Sequence, residues 1–224
     1  MATPVILAHR GAHDPETPGT RENTLDAFRT AADIADGVEL DVRSTRDGLL
    51  VVHHDRLLAG GGRLADSDAV DLPDWLPTLE TALEVCATMR VVNVELKAEP
   101  DTDPGVPARV AATLAGRANV LVSSFNLGAL DAFHDAAPAI PTGWLTMVGY
   151  DQGDAIATAA AHGHQAINPP EAATTPELIA TAHAAGLQVV VWTVDEPGRV
   201  VELGAAGADV IVTDFPRRAA AALR

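Results

Sequence analysis

Val38-Glu39-Leu40-Asp41-Val42-Arg43 reads as a strand with two chemically distinct sides. Side chains alternate along a strand, so Val38, Leu40 and Val42 share one face while Glu39 and Asp41 point together to the other. Such a strand fits a sheet covered by helices on its apolar side. Short runs rich in β-branched residues recur in both directions, at Val5 to His9, Val91 to Lys97, Val120 to Ser124, Thr142 to Thr146, Gln165 to Asn168, Val189 to Val194 and Val210 to Asp214. Longer helical patterns lie between them, starting near Thr24, Thr78, Gly105, Asn126, Asp151, Pro176, Pro197 and Pro216, several at the Asn, Asp or Pro that helix starts favour. Eight strands each followed by a helix predict a closed (β/α)8 TIM barrel, with residues 1–224 forming a single domain. In that barrel Glu39 and Asp41 face the interior.

Leu49 to His53 follows the second barrel strand after a turn containing Asp47-Gly48, which predicts a β-hairpin rather than a further unit. Gly11 to Arg21, and Arg56 to Trp75 with its Gly60-Gly61-Gly62 run, exceed tight connections and belong on the face where barrels keep functional loops.

Fifteen basic against 31 acidic residues give a net charge of −16, which repels polyanions and argues against nucleic acid and anionic membranes as partners. The single cysteine, Cys86, excludes an intrachain disulfide, and its apolar helical setting predicts a buried, inert thiol. The N-terminal stretch has no basic region and only a short apolar run, so it reads as a buried strand, and the protein as cytoplasmic without stable membrane insertion.

Glu95 and Lys97 repeat the inward spacing of Glu39 and Asp41 on the next barrel strand. Three carboxylates and an ammonium at one barrel mouth need compensation, and a bound divalent cation provides it. All-oxygen ligands favour Mg²⁺ or Ca²⁺ over zinc. The alternative is a set of interior ion pairs, Lys97 with Glu95 or Arg43 with Asp41. His9 ends the first strand and His54 follows the hairpin strand, so two imidazoles can overhang the same mouth and serve as general base and general acid. His162-Gly163-His164 has the spacing of a metal pair, but it precedes the sixth barrel strand, on the opposite face, and reads as solvated loop. His13, His134 and His183 fall in a loop or on helices and carry no functional expectation.

His9-Arg10-Gly11, Glu22-Asn23-Thr24, Glu39-Leu40-Asp41-Val42, Asp47-Gly48, Val52-His53-His54-Asp55, Pro77-Thr78-Leu79, Asn93-Val94-Glu95-Leu96-Lys97, Ser124-Phe125, Trp192-Thr193-Val194 and Thr213-Asp214-Phe215-Pro216 form an ordered set spanning residues 9 to 216. Together they resemble the glycerophosphodiester phosphodiesterases. The resemblance implies a (β/α)8 barrel that cleaves glycerophosphodiesters to glycerol 3-phosphate and an alcohol with a divalent cation. It implies Glu39, Asp41 and Glu95 as metal ligands and His9 and His54 as the acid–base pair. Arg10 and Lys97 match phosphate-contacting positions, Trp192 matches an aromatic near the substrate, and Glu22 matches a supporting position. Asn23 reads more simply as a helix N-cap. The chain departs from the family at Arg21, where proline is usual, and in its reduced insertion after His54-Asp55. The rival readings are a related barrel phosphodiesterase of the lysophospholipase D or sphingomyelinase D type, which needs an apolar channel, and a non-catalytic metal-binding barrel.

Overall fold

A computed structural model describes residues 3–13, 20–99 and 102–224. Eight parallel strands close into a barrel: β1 (Val5–Ala8), β2 (Gly37–Ser44), β4 (Val91–Leu96), β5 (Val120–Ser124), β6 (Thr142–Leu145), β7 (Ala166–Asn168), β8 (Gln188–Val191) and β9 (Val210–Thr213). Each barrel strand pairs with the next in chain order, and β1 pairs with both β2 and β9 to seal the ring. The expected hairpin strand is β3 (Leu50–Val52), antiparallel to β2 with Val42 opposite Val52.

The helices are α1 (Leu25–Ala32), α2 (Leu79–Val85), α3 (Val106–Leu114), α4 (Leu127–Ala136), α5 (Gln152–Ala161), α6 (Pro176–Ala184), α7 (Pro197–Ala206) and α8 (Pro216–Ala222). Their starts are chemically marked. Thr24, Thr78, Asn126, Asp151 and Thr175 each accept a hydrogen bond from a first-turn backbone N–H, and Pro176, Pro197 and Pro216 occupy positions whose N–H has no helical acceptor.

Strand alternation produces two cores. Outward residues such as Val38, Leu40, Val42, Val92, Val94 and Leu96 pack beneath the helices, as expected for the apolar side of β2. Inward residues of the other strands, among them Leu7, Leu121, Ala166, Val190 and Val212, fill the barrel itself. On β2 and β4 the inward positions are instead Glu39, Asp41, Asn93 and Glu95, with Asp41 in register with Glu95 and Glu39 with Asn93. Polar groups therefore concentrate on one side of the barrel interior.

The 56–75 segment is short but ordered: two single-turn 3₁₀ segments, Leu64–Asp66 and Ala69–Asp71, tuck Leu64 against Val51 and Leu76 beside the hairpin. Arg21 lays its guanidinium over the Trp75 ring at 4.2 Å from the centroid, tying the first loop to this segment. The rest of the Gly11 to Arg21 expectation, residues 14–19, lies outside the described residues. Cys86 is buried, and burial pushes its thiol up to about 12, so it is inert as expected. Among the described residues no helix is long and apolar enough to cross a membrane.

Candidate active site

The C-terminal ends of the barrel strands surround a cavity of about 200 Å³. His9, Arg10, Glu39, His54, Glu95, Lys97 and Trp192 all line it, so seven of the eight residues expected at the site share one wall set. Asp41 is 1% exposed and does not line the cavity itself, but joins the set through its partners Lys97 and Arg10.

Glu39, Asp41 and Glu95 each present a carboxylate oxygen within 4.8 Å of the others. Burial, reinforced by the neighbouring Asp41 charge, pushes Glu39 up to about 8 and Glu95 up to about 7. Burial raises Asp41 as well, but Lys97 and Arg10 outweigh it and hold that carboxyl below the usual range. Lys97 Nζ stands 2.9 Å from Asp41 Oδ1 and 2.6 Å from Glu95 Oε1. Burial works against its charge, yet Asp41 and Glu95 more than offset that, so Lys97 remains an ammonium.

Lys97 pairs with Asp41 and Glu95, and Arg10, which Asp41 shares with Glu22, stands 3.6 Å from Asp41 Oδ2, yet Glu39 Oε1 is buried with no hydrogen-bond partner. That orphaned oxygen and the all-oxygen donor set fit a hard divalent cation. Of the ion pairs expected in the interior, Lys97 with Glu95 is formed, while one oxygen of Glu39 is left without a partner. The other interior pair is not formed, because Arg43 instead binds Glu99 at 2.9 Å and donates from Nε to the His54 carbonyl at 2.8 Å.

The loop after β1 is shaped to serve this cluster. Arg10 adopts a left-handed backbone, φ 54°, which lets its N–H donate to Glu39 Oε2 at 3.1 Å while its guanidinium reaches Glu22 at 3.0 Å. Glu22 thus holds Arg10 at the mouth, in keeping with a supporting role. Asn23 corrects the sequence reading. Thr24 caps α1, whereas Asn23, also left-handed at φ 55°, is 1% exposed and donates from Nδ2 to Asp41 Oδ2 at 2.7 Å. It orients a carboxylate that no solvent reaches.

His9 Nδ1 lies 2.7 Å from Asp214 Oδ1, at the start of the loop after β9. A carboxylate accepts only, so Nδ1 carries the proton and Nε2 is the atom turned toward Glu39, 3.9 Å away. Burial lowers the His9 pKa, but the Asp214 hydrogen bond and the Glu39 charge outweigh it and the net shift is upward. His54 pairs through Nδ1 with Asp55 at 2.8 Å. Burial dominates there and holds its imidazole below the usual value despite Asp41. His53 points to the other side of the strand, toward Leu57 O and the Trp75 ring, as alternation requires.

Trp192 stands edge-on to Phe125, with ring centroids 5.3 Å apart, and donates from Nε1 to the Asn168 carbonyl at 2.9 Å. Together the two rings make an apolar wall opposite the charged one. Asn93, Ser123 and Asn168 also line it, and Asn93 Oδ1, Ser123 Oγ and both Asn168 amide atoms are buried without a hydrogen-bond partner. These groups, with Asp214, Asp55 and Phe125, received no role from sequence reasoning. For Asn93 a signal existed, since it sits two before Glu95 on the inward side. Asp214 belongs to one of the motifs that carry the resemblance, but its pairing with His9 was hidden, because the two are 205 residues apart.

The solvated-loop expectation for His162-Gly163-His164 also needs correction: His164 is 4% exposed and packs beneath α4 near Asp131.

The profile of the glycerophosphoryl diester phosphodiesterase family matches residues 9–218. A glycerophosphodiester phosphodiesterase of Bacillus altitudinis is 33% identical over 240 residues, covering 96% of each chain. The crystal structure of a glycerophosphodiester phosphodiesterase from Parabacteroides distasonis superposes with a TM-score of 0.84 at 26% identity, over 99% of this chain and 97% of that one. An Oleispira antarctica phosphodiesterase, solved with its product sn-glycerol-3-phosphate, shares the fold at a TM-score of 0.87 and 24% identity, covering 99% and 97% of the two chains. With the catalytic mouth and the length of the match both in place, the chain belongs to the glycerophosphoryl diester phosphodiesterase family.

Proposed function

We propose that His9 and His54 form the acid–base pair of this enzyme, that Glu39, Asp41 and Glu95 hold a hard divalent cation, Mg²⁺ or Ca²⁺, and that Arg10, Lys97 and Trp192 bind the substrate. The reaction is that of its family, hydrolysis of a glycerophosphodiester to glycerol 3-phosphate and an alcohol. The observation that carries the residue assignment is the convergence of both histidines, the three carboxylates and Lys97 on one cavity.

When bound, the cation supplies electrophilic stabilisation to the phosphoryl oxygens. The chain's own cations do the same. Arg10 is held at the mouth by Glu22, and Lys97 is kept charged by Asp41 and Glu95, so both stand ready for negative charge as it builds on phosphorus. A strongly acidic protein needs such a focus of positive charge to admit a phosphodiester anion. One histidine takes a proton from the attacking hydroxyl at Nε2. The other protonates the departing alkoxide, whose expulsion is otherwise the slow event. Asp214 and Asp55 fix both rings by holding Nδ1, which leaves each Nε2 free for transfer. The Phe125–Trp192 wall gives the glycerol or alcohol carbons an apolar surface and keeps water from that side.

The test is turnover of a panel of glycerophosphodiesters differing in alcohol, with and without chelator, followed by phosphorus NMR. Glycerol 3-phosphate should form only with a divalent cation, and the spectrum separates direct attack by water from a route through a cyclic phosphate. Undiminished turnover after exhaustive chelation would remove the cation and its three ligands from the reading.

A further inference from the structure

The face opposite the mouth carries a second group of ligating side chains. Asp131 and His134 lie on α4, His162 caps α5, and His164 leads into β7. Gly163 between the two histidines is left-handed, φ +80°, and turns the chain so that both rings return to Asp131. His162 Nδ1 stands 3.0 and 3.1 Å from the two Asp131 oxygens, and His164 Nε2 stands 3.2 Å from Oδ1. The three residues place one ligand atom each within 4.8 Å of the others.

The hydrogen bonds around His164 show what it lacks. The Thr142 backbone N–H donates to Gln165 Oε1 at 2.9 Å, so that oxygen accepts, and the Thr142 hydroxyl donates to it at 3.3 Å. With its proton committed there, Thr142 Oγ1 accepts from His164 Nδ1 at 2.9 Å. That tautomer leaves a lone pair on Nε2. The atom is buried, has no hydrogen-bond partner and faces a carboxylate oxygen. In that tautomer two acceptors lie 3.2 Å apart and need a positive charge between them, a proton or a metal ion.

We propose that Asp131, His162 and His164 bind a borderline transition-metal cation, Zn²⁺ foremost. An imidazole whose other nitrogen is held by a hydroxyl is the arrangement that orients a ligand histidine. A tetrahedral zinc with arms of 2.0–2.1 Å has edges of about 3.3–3.4 Å, and the two nitrogen-to-Asp131 separations, 3.0 and 3.2 Å, are within a few tenths of that. The two-nitrogen, one-oxygen set selects against Mg²⁺ and Ca²⁺, which prefer the carboxylates of the mouth, so the two faces sort cations by softness. Asp131 and His162 are part-exposed, which opens the site to solvent. His134, whose ring stands edge-on to His164 at 5.9 Å with Nδ1 buried and unpartnered, walls its inner side. The ion links α4 to the α5–β7 junction, two adjacent units of the ring.

The test is calorimetric titration of the tag-free, metal-stripped chain with Zn²⁺ under a large excess of Mg²⁺, alongside visible absorption with Co²⁺. One equivalent of Zn²⁺ should bind, with a four-coordinate Co²⁺ spectrum. Asp131→Asn and His162→Ala alter part-exposed residues, so each should keep the native near-UV circular dichroism while losing at least about tenfold in Zn²⁺ affinity. Glu39→Gln should leave that affinity unchanged. No stoichiometric Zn²⁺, or Zn²⁺ that survives His162→Ala, overturns the proposal. So does Zn²⁺ lost in Glu39→Gln, which would place it in the mouth.

Discussion

Raising the pH of the cation-free enzyme from about 5 to about 7 should destabilise it, and a divalent cation should reverse the loss. Glu39 and Glu95 have folded values pushed up to about 8 and about 7 by burial and the Asp41 charge. Unfolded, both titrate near the ordinary carboxylate value of about 4.3. Between those limits the folded state retains protons that the unfolded chain has released. Stability is therefore fully present below the unfolded value and is lost as pH rises toward the folded ones, at up to about 1.4 kcal/mol per pH unit for each proton held. The two acids share their site with Asp41, and one retained proton is the conservative figure. Two pH units then cost about 3 kcal/mol, or a fall in Tm of about 5–10 °C for a chain of this length. A cation present at a hundred times its Kd restores about 2.7 kcal/mol. Scanning calorimetry in chelator and in excess Mg²⁺ or Ca²⁺ should show two Tm curves that nearly meet at the acid end and separate as pH rises. In Glu39→Gln the slope in chelator should flatten. A wild-type Tm in chelator that stays level or climbs over this range, or a Glu39→Gln curve parallel to wild type, would refute the reasoning.

His9→Ala and His54→Ala should each lower kcat by about two to four orders of magnitude with the fold retained, and a substrate with a very acidic leaving alcohol should rescue only the variant that lacks the acid. Equal, small losses in both would return the histidines to structural roles. Lys97 is the only lysine among the 15 basic residues, and it meets Asp41 and Glu95 where a planar guanidinium has little room. Lys97→Arg should lose at least about tenfold in kcat/KM, roughly 1.4 kcal/mol; near wild-type kinetics would reduce Lys97 to an ion-pair partner. Asn23→Ala should cost about 1–3 kcal/mol in chemical denaturation by leaving Asp41 Oδ2 without its amide donor. A change no larger than that of an exposed helix substitution would count against the orienting role.

Most of the fold was legible because its signals are local. Strand alternation put Val38 and Glu39 on opposite faces, and seven of the eight expected helices start at a capping side chain or a proline, α3 opening instead after Gly105. The site was legible where inward alternation repeats, as in Glu39-Asp41 and Glu95-Lys97. Contacts made across the ring were not. Asn23 looks like a cap because Thr24 beside it is one, and only the left-handed turn of residues 10 and 23 shows that its amide faces Asp41. His164 looks solvated because Gly163 and Gln165 flank it. Its burial comes with the approach of α4, some 30 residues earlier, whose Asp131 and His134 lie against its ring.

The seam between β1 and β9 has a consequence for when activity begins. Every other residue proposed for the mouth, from His9 to Trp192, is synthesised before Asp214, so the growing chain carries its anionic cluster well before His9 acquires the partner that fixes its ring. Until the last strand docks, β1 presents an open edge and the first histidine turns freely. Activity therefore arrives in one step with the final unit, and a product cut short before residue 214 is silent instead of slow.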